Sequence, residues 1–423
     1  MAFTDIHRAI EAVWRIESGR LIAGLARIVH DVGLAEDLAQ DAMVIALERW
    51  PEVGIPNNPG AWLMATAKHR AIDRLRRIKL AERKNQELGR ELGPQHAVTE
   101  ADFSAVLADD DEVEDDLLRL IFTACHPVLS TEARIALSLR LLGGLTTPEI
   151  ARAFLVPEPT IAQRIVRAKR TLAEAHIPFE VPRGAERTAR LSSVLEVIYL
   201  IFNEGYSATA GDNWTRPALC EDALRLGRIL AGLVPGEAEV HGLVALMELQ
   251  ASRMRARTGP SGAPILLLDQ NRARWDQLLI RRGLVALDRA EKLGGEFGPY
   301  TLQAKIAACH ARARTPEETD WARIAALYDG LAQLAPSPIV ELNRAVALSM
   351  AYGPAVGLEI VDTLTAEPSL KSYHLLPSVR GDLLAKLGRF DEARVEFERA
   401  AALTRNVRER DLLLGRARTP GQQ

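Results

Sequence analysis

Cysteine is scarce and scattered. Cys125, Cys220 and Cys309 lie far apart with no metal-ligand spacing, and they read as buried thiols of a reducing cytoplasm. The N-terminus has no charged-then-apolar signal pattern, and no apolar run approaches the roughly 20 residues needed to span a bilayer. A cytoplasmic protein with no membrane contact is therefore expected. Catalytic signatures are also missing: there is no phosphate-binding glycine loop, no histidine cluster and no nucleophile motif. The acidic pairs sit in a polar stretch or on helix surfaces. The expectation is a protein that is not an enzyme and needs no metal or cofactor. Excess charge is lacking too, the net value being −3.

That small net charge conceals an uneven distribution. Residues 68–79 and 164–170 are strongly basic, whereas residues 91–116 contain many acids and neither Lys nor Arg. Local basic patches suffice for nucleic acid, because phosphate attraction acts within about 8 Å at physiological salt. At 423 residues and 48% apolar content, the chain can form two or three domains with proper cores. The polar, acidic segment 82–114 buries too little to fold alone and reads as a mobile linker.

Residues 144–170 read as a helix-turn-helix. Thr146 or Thr147 caps a first helix that carries Pro148 and ends near Phe154; a turn through Leu155 to Pro157 opens a second helix. Ile150, Ala151, Ile161 and Ile165 pin the pair together. The opposite side of the second helix carries Thr160, Gln163, Arg164, Arg167, Lys169 and Arg170, with short polar groups first and cations along its length. Such a helix reads base edges at its front and holds phosphates on its flank. Residues 117–125 and 131–142 supply supporting apolar helices.

Toward the N-terminus, residues 20–29 form a helix with two apolar faces. Residues 31–50 carry Leu34, Leu38, Ala42 and Ile45 at helical spacing, and Glu36, Asp37, Gln40, Asp41 and Glu48 on the remaining surface. After a loop at 51–58, Asn58 caps another helix with Pro59 in its first turn. That helix bears Trp62, Lys68, His69, Arg70, Arg74, Arg76 and Arg77. An aromatic near the start and a dense cationic end suit a helix lying along separated DNA strands, since unpaired bases stack on rings and phosphates attract guanidinium groups.

The series Glu36-Asp37-Leu38-Ala39-Gln40-Asp41, Pro59-Gly60-Ala61-Trp62-Leu63 and Ala67-Lys68-His69-Arg70-Ala71-Ile72-Asp73-Arg74-Leu75-Arg76-Arg77, followed by the helix-turn-helix, resembles extracytoplasmic-function (ECF) RNA polymerase sigma factors of the sigma-70 family. The resemblance implies an all-α protein. Residues 1–81 correspond to sigma region 2, 82–114 to the acidic linker and 115–178 to sigma region 4. It further implies that Glu36, Asp37, Gln40 and Asp41 dock on the beta-prime clamp helices of core RNA polymerase, and that region 4 meets the beta flap. The loop 51–58 and Trp62, Lys68, His69, Arg70, Arg74, Arg76 and Arg77 recognise and melt the minus-ten element. Thr160, Gln163, Arg164, Arg167, Lys169 and Arg170 read the minus-thirty-five element of promoter DNA. His69 stands where such factors usually have Asn, and Leu155 where Gly is frequent.

Beyond residue 190 runs a train of Ala- and Leu-rich helices punctuated by Gly and Pro. Gly353-Pro354-Ala355 and Gly388-Arg389-Phe390 mark corresponding turns close to one ~34-residue tetratricopeptide period apart. Residues 383–393 with Phe397 and Ala400 are the best single match to that repeat. Residues 190–423 are expected to form a tetratricopeptide-like (TPR-like) α-solenoid whose concave face suits a protein partner. Tyr199-Leu200-Ile201-Phe202-Asn203-Glu204-Gly205-Tyr206, Ala245-Leu246-Met247, Leu268-Asp269-Gln270-Asn271-Arg272 and Asn343-Arg344-Ala345-Val346-Ala347 resemble the ECF subgroup with such an extension. That resemblance implies that the extension regulates the sigma core, in cis or through a partner. The alternative function is a one-component helix-turn-helix regulator with a solenoid sensor, which would not need the N-terminal helical domain.

Overall fold

The computed structural model describes residues 3–88, 113–260 and 262–419. The chain divides into two compact units, Met1–Val197 and Ile198–Gln423. Among the described residues, regular structure is helical apart from a two-residue strand pair and one isolated bridge.

The first unit opens with α1 (Phe3–Val29), α2 (Val32–Val53) and α3 (Pro59–Leu88). The Asp31 carboxylate caps α2 by accepting from the Leu34 N–H, and the Asn58 side chain does the same for α3 through the Ala61 N–H. Leu21, Ile22, Leu25, Leu38, Ala42, Trp50, Leu63 and Ala67 form the shared core. The expected loop at 51–58 is shorter, because α2 carries Pro51 in its last turn and stops only at Gly54, whose φ of 86° ends a helix without a Cβ clash. The start of the expected linker, up to Leu88, continues α3, and its acidic middle lies outside the described residues.

The unit continues with α4 (Val113–Ala124), α5 (Thr131–Leu141), α6 (Thr147–Phe154), α7 (Glu158–Glu174) and the first part of α8 (Gly184–Tyr206). Leu117, Leu118, Leu120, Ile121 and Phe122 are buried on α4, which packs on α1. The approach is close. A Cβ on Gly19 would sit 3.4 Å from Leu117, and one on Gly144 would sit 2.7 Å from the Ser18 hydroxyl. The start of α8 belongs to the same packing: the Ser193 hydroxyl donates to the Cys125 carbonyl at 2.7 Å, and Arg134 reaches Glu196 at 3.1 Å.

The second unit holds the rest of α8, then α9 (Pro217–Leu233), α10 (Ala238–Ala251), α11 (Gln277–Lys292), α12 (Pro299–Arg312), α13 (Trp321–Leu334), α14 (Pro338–Tyr352), α15 (Pro354–Leu364), α16 (Leu375–Lys386), α17 (Phe390–Leu403) and α18 (Val407–Arg418). From α12 onward each helix packs on the next, as a solenoid requires. Gly353 and Gly388, with φ of 106° and 76°, make the two corresponding turns. At the crossing of α16 and α17, a Cβ on Gly381 would lie 2.9 Å from the Phe397 ring, so the small residue admits the aromatic that fills the groove.

Three features were not anticipated. The helix expected at 272–293 begins at Gln277, because Asp276 accepts from the Leu278 and Leu279 N–H groups and fixes the start there. The helix α18 was not foreseen. Finally, β1 (Ala210–Gly211) pairs in parallel with β2 (Arg405–Asn406), tying the unit's first loop to its last helix. The Asn406 amide secures this clasp by donating to the carbonyls of Ala208 and Asn213 at 3.1 and 2.9 Å. Cys125, Cys220 and Cys309 are free and buried, and burial pushes the Cys125 and Cys220 thiols up to about 11 and about 12.

Candidate nucleic-acid and polymerase interface

The helix-turn-helix forms where its capping chemistry dictates. Thr146 Oγ1 accepts from the Glu149 N–H while the Glu149 carboxylate accepts from the Thr146 N–H, a reciprocal capping box that starts α6. Burial pushes the Glu149 carboxyl up, but the Thr146 hydrogen bonds and the Arg15 guanidinium outweigh it and hold the group below its usual range. Leu155 ends α6 in the left-handed conformation, φ 50° and ψ 42°, at the position where Gly is frequent. Its side chain is half exposed, so the turn keeps its geometry at the cost of Cβ strain.

On α7, Ile161, Ile165, Ala168 and Leu172 are buried against the supporting helices. Thr160, Gln163, Arg167 and Arg170 are exposed and Arg164 half-buried, at helical spacing along one side. This outward row has the geometry of a major-groove helix: short polar groups at the N-terminal end, then guanidinium groups. Lys169 is placed differently. Its ammonium pairs with the carboxylate of Glu36, and lies 3.9 Å from Asp37.

On α3, Trp62 is half-buried and packs edge-on against Trp50, with ring centroids 5.2 Å apart. His69 is exposed, with its Nδ1 2.7 Å from the Ala65 carbonyl. Arg70, Arg74 and Arg76 are exposed, Lys68 is half-buried, and Arg70 pairs with Asp41 at 2.8 Å. The side chain of Arg77 lies outside the described residues. An exposed pair such as Arg70–Asp41 contributes little and yields readily to a phosphate.

The acidic row of α2 splits in two. Asp37 and Asp41 are exposed and Gln40 is half-buried, but Glu36 is only 2% exposed. Glu36 receives Gln40 at 2.7 Å, the Arg140 guanidinium at 2.5 Å and the Lys169 ammonium. A second buried carboxylate, Asp116, takes Arg27 of α1 at 2.8 Å and Arg119 at 2.6 Å. Burial raises the Asp116 carboxyl above its ordinary range despite both cations. Arg15 of α1 reaches Glu149 of α6 at 2.7 Å. Sequence reasoning missed Arg15, Arg27, Asp116 and Arg140, because partners 89 to 134 residues apart leave no periodic signal.

The comparisons with known proteins follow the same division. Residues 16–80 match the model of Sigma-70 region 2, and residues 119–172 that of Sigma-70 region 4. Residues 190–291 match a family of unknown function (DUF6596). An uncharacterized protein of Rhizobium meliloti is 43% identical over 392 residues, covering 92% of this chain and 90% of its own length. The probable ECF RNA polymerase sigma factor SigI of Mycobacterium tuberculosis is 26% identical over 181 residues, covering 43% of this chain and 60% of its own. The ECF RNA polymerase sigma factor SigK of Mycobacterium ulcerans is 26% identical over 157 residues, covering 36% and 78%. No solved structure matches. Among the described residues no helix is long and apolar enough to cross a membrane. With both sigma modules in order, ECF relatives along them and a near full-length relative sharing the remainder, the chain belongs to the sigma-70 family as an ECF sigma factor with a large helical C-terminal extension.

Proposed function

We propose that this sigma factor binds core RNA polymerase through the exposed part of α2, around Asp37, Gln40 and Asp41, and directs it to promoters read by α7 and α3. The observation that carries this reading is the outward row Thr160, Gln163, Arg164, Arg167 and Arg170, opposite a buried apolar side on the same helix. Duplex DNA is held by α7. Opened strands are favoured by the aromatic and cationic face of α3, so binding itself draws the equilibrium toward melting.

The free protein is a closed form in this reading. Glu36 belongs to the surface expected to face polymerase and Lys169 to the one expected to face DNA, yet each occupies the other. Polymerase and promoter therefore gain access to both residues only by parting α2 from α5 and α7. The extension modulates this equilibrium.

The test is in-vitro transcription with purified core polymerase on genomic fragments, comparing the full chain, its Glu36→Gln variant and a chain ending at Val197. That boundary keeps Ser193 and Glu196 with their partners Cys125 and Arg134. Specific initiation by the full chain supports sigma activity, and the ratio between the full and shortened chains gives the sign of the extension's effect. Firm duplex binding with no affinity for core enzyme would replace this reading with a one-component regulator.

A further inference from the structure

In the second unit, the long connection between α10 and α11 folds back on itself through short 3-10 turns at Met254–Ala256, Leu267–Asp269 and Arg272–Arg274. It gathers three arginines around aromatic rings. The Arg257 guanidinium lies 3.6 Å from the Tyr206 ring centroid and 5.6 Å from that of Trp214. Arg253 lies 5.7 Å from Tyr206 and 5.9 Å from Trp275, and Arg272 sits 5.0 Å from Trp275 on the ring they share. His310, 7% exposed, contributes its carbonyl to Arg272 at 2.7 Å and its ring to an edge-on contact with Trp321.

Arg253 and Arg257 are 9% and 8% exposed. Among the described residues neither they nor Arg272 form an ion pair with a carboxylate, whereas half-buried arginines elsewhere in the unit do: Arg216 with Glu204, and Arg416 with Asp382. Arg272 finds carbonyls and the Thr319 hydroxyl instead. The Nε groups of Arg253, Arg257 and Arg272, the Trp275 indole nitrogen and the His310 Nδ1 are all buried without a hydrogen-bond partner. Burial lowers the Arg257 guanidinium below its ordinary range, and burial beside Arg253 and Arg272 drives His310 down to about 3, so that its imidazole is neutral at physiological pH. Ring faces offset part of the cost of burying a guanidinium, and the Tyr206 side chain hydrogen-bonds Arg257, but the Nε groups are left without an acceptor. Like charges gathered in a low-dielectric setting with spare donors have the character of a preorganised anion site.

We propose that Arg253 and Arg257, with Tyr206, Trp275 and His310 around them, form a binding site in the extension for the oxyanion of a small molecule, a phosphate or a carboxylate. The proposal is independent of the promoter-recognition reading. It gives the part of the chain covered by the family of unknown function a ligand class, since all of these residues except His310 fall within 190–291. Occupancy would neutralise the cluster and set the order of the α10–α11 connection.

The test is isothermal titration of the full-length protein with inorganic phosphate, pyrophosphate and succinate, at constant ionic strength set with chloride, on the wild type and on Arg253→Met and Arg257→Met. Methionine keeps an apolar stem of similar length and removes the charge. The expected result is saturable binding of at least one probe, weakened about tenfold or more in either variant. The probe preferred distinguishes a phosphate from a carboxylate ligand. Arg257→Lys, which keeps the charge and loses the planar fork, should also weaken binding, and it serves if a Met variant fails to fold. The absence of saturable binding with all three probes, or equal binding by the wild type and the folded variants, would overturn the proposal.

Discussion

The two units treat buried charge differently. In the first, Glu36 and Asp116 each sit between two cations, and each draws a cation from the other sigma module. In the second, Arg253 and Arg257 are buried against rings, with no carboxylate partner among the described residues. Paired charges of the first kind fasten two modules in a register that water and salt can loosen; in the proposed function, polymerase and DNA compete for the same groups. Unpaired donors of the second kind fasten nothing. They are affordable only because aromatic faces shield them, and they leave hydrogen-bonding capacity for something that arrives later.

The sharpest check on this contrast lies in the repeat packing, where a buried ring carries the contact even though the Arg416 guanidinium, paired with Asp382, lies 4.4 Å from its centroid. Phe397→Ala removes a ring buried at 1% exposure against Gly381, and should destabilise the second unit by about 3–5 kcal/mol, with little dependence on salt. Denaturant titration at low and high salt measures it; a strongly salt-dependent loss would erase the distinction. Next in size is Glu36→Gln, which leaves Arg140 and Lys169 without their anion. Because glutamine keeps some hydrogen bonding, a loss of about 2–3 kcal/mol in the first unit is expected, together with faster proteolysis between the two sigma modules. Unchanged stability and proteolysis would show that the pairing holds nothing closed.

A smaller effect tests the outward cations. Arg164→Gln and Arg167→Gln should each weaken promoter binding by about 1–3 kcal/mol where a base edge is contacted, or lower the salt slope by about 1 where a phosphate is. Affinity across a salt series separates the two cases. The smallest is a gain: Leu155→Gly relieves a left-handed residue and should stabilise the turn of the helix-turn-helix by about 1 kcal/mol, read as a modest rise in melting temperature.

Much of this architecture was legible in local sequence. Asn58 and Thr146 announce the helices they cap, because a side-chain oxygen satisfying an N–H three residues on is a short-range event. Ile161, Ile165 and Ala168 declare the buried side of α7 through their spacing, and that choice leaves Thr160, Gln163, Arg164 and Arg167 outward. Gly353, Gly388 and Phe397 disclose the repeat in the same way. Glu36 and Lys169 show the limit: helical spacing puts each on a polar side, but it does not tell which polar residues meet a partner module and which meet water.

The sequence by itself thus determined the helices, their inward sides, the order of the sigma modules and the repeat character of the extension, all set by contacts a few residues apart. Only the tertiary structure decided that Glu36 is closed over by Arg140 and Lys169, that Asn406 clasps the loop around Ala208, and that Arg253 and Arg257 share the Tyr206 ring. These depend on pairings across tens to hundreds of residues, where the free energy comes from burial and charge in three dimensions and leaves no period along the chain.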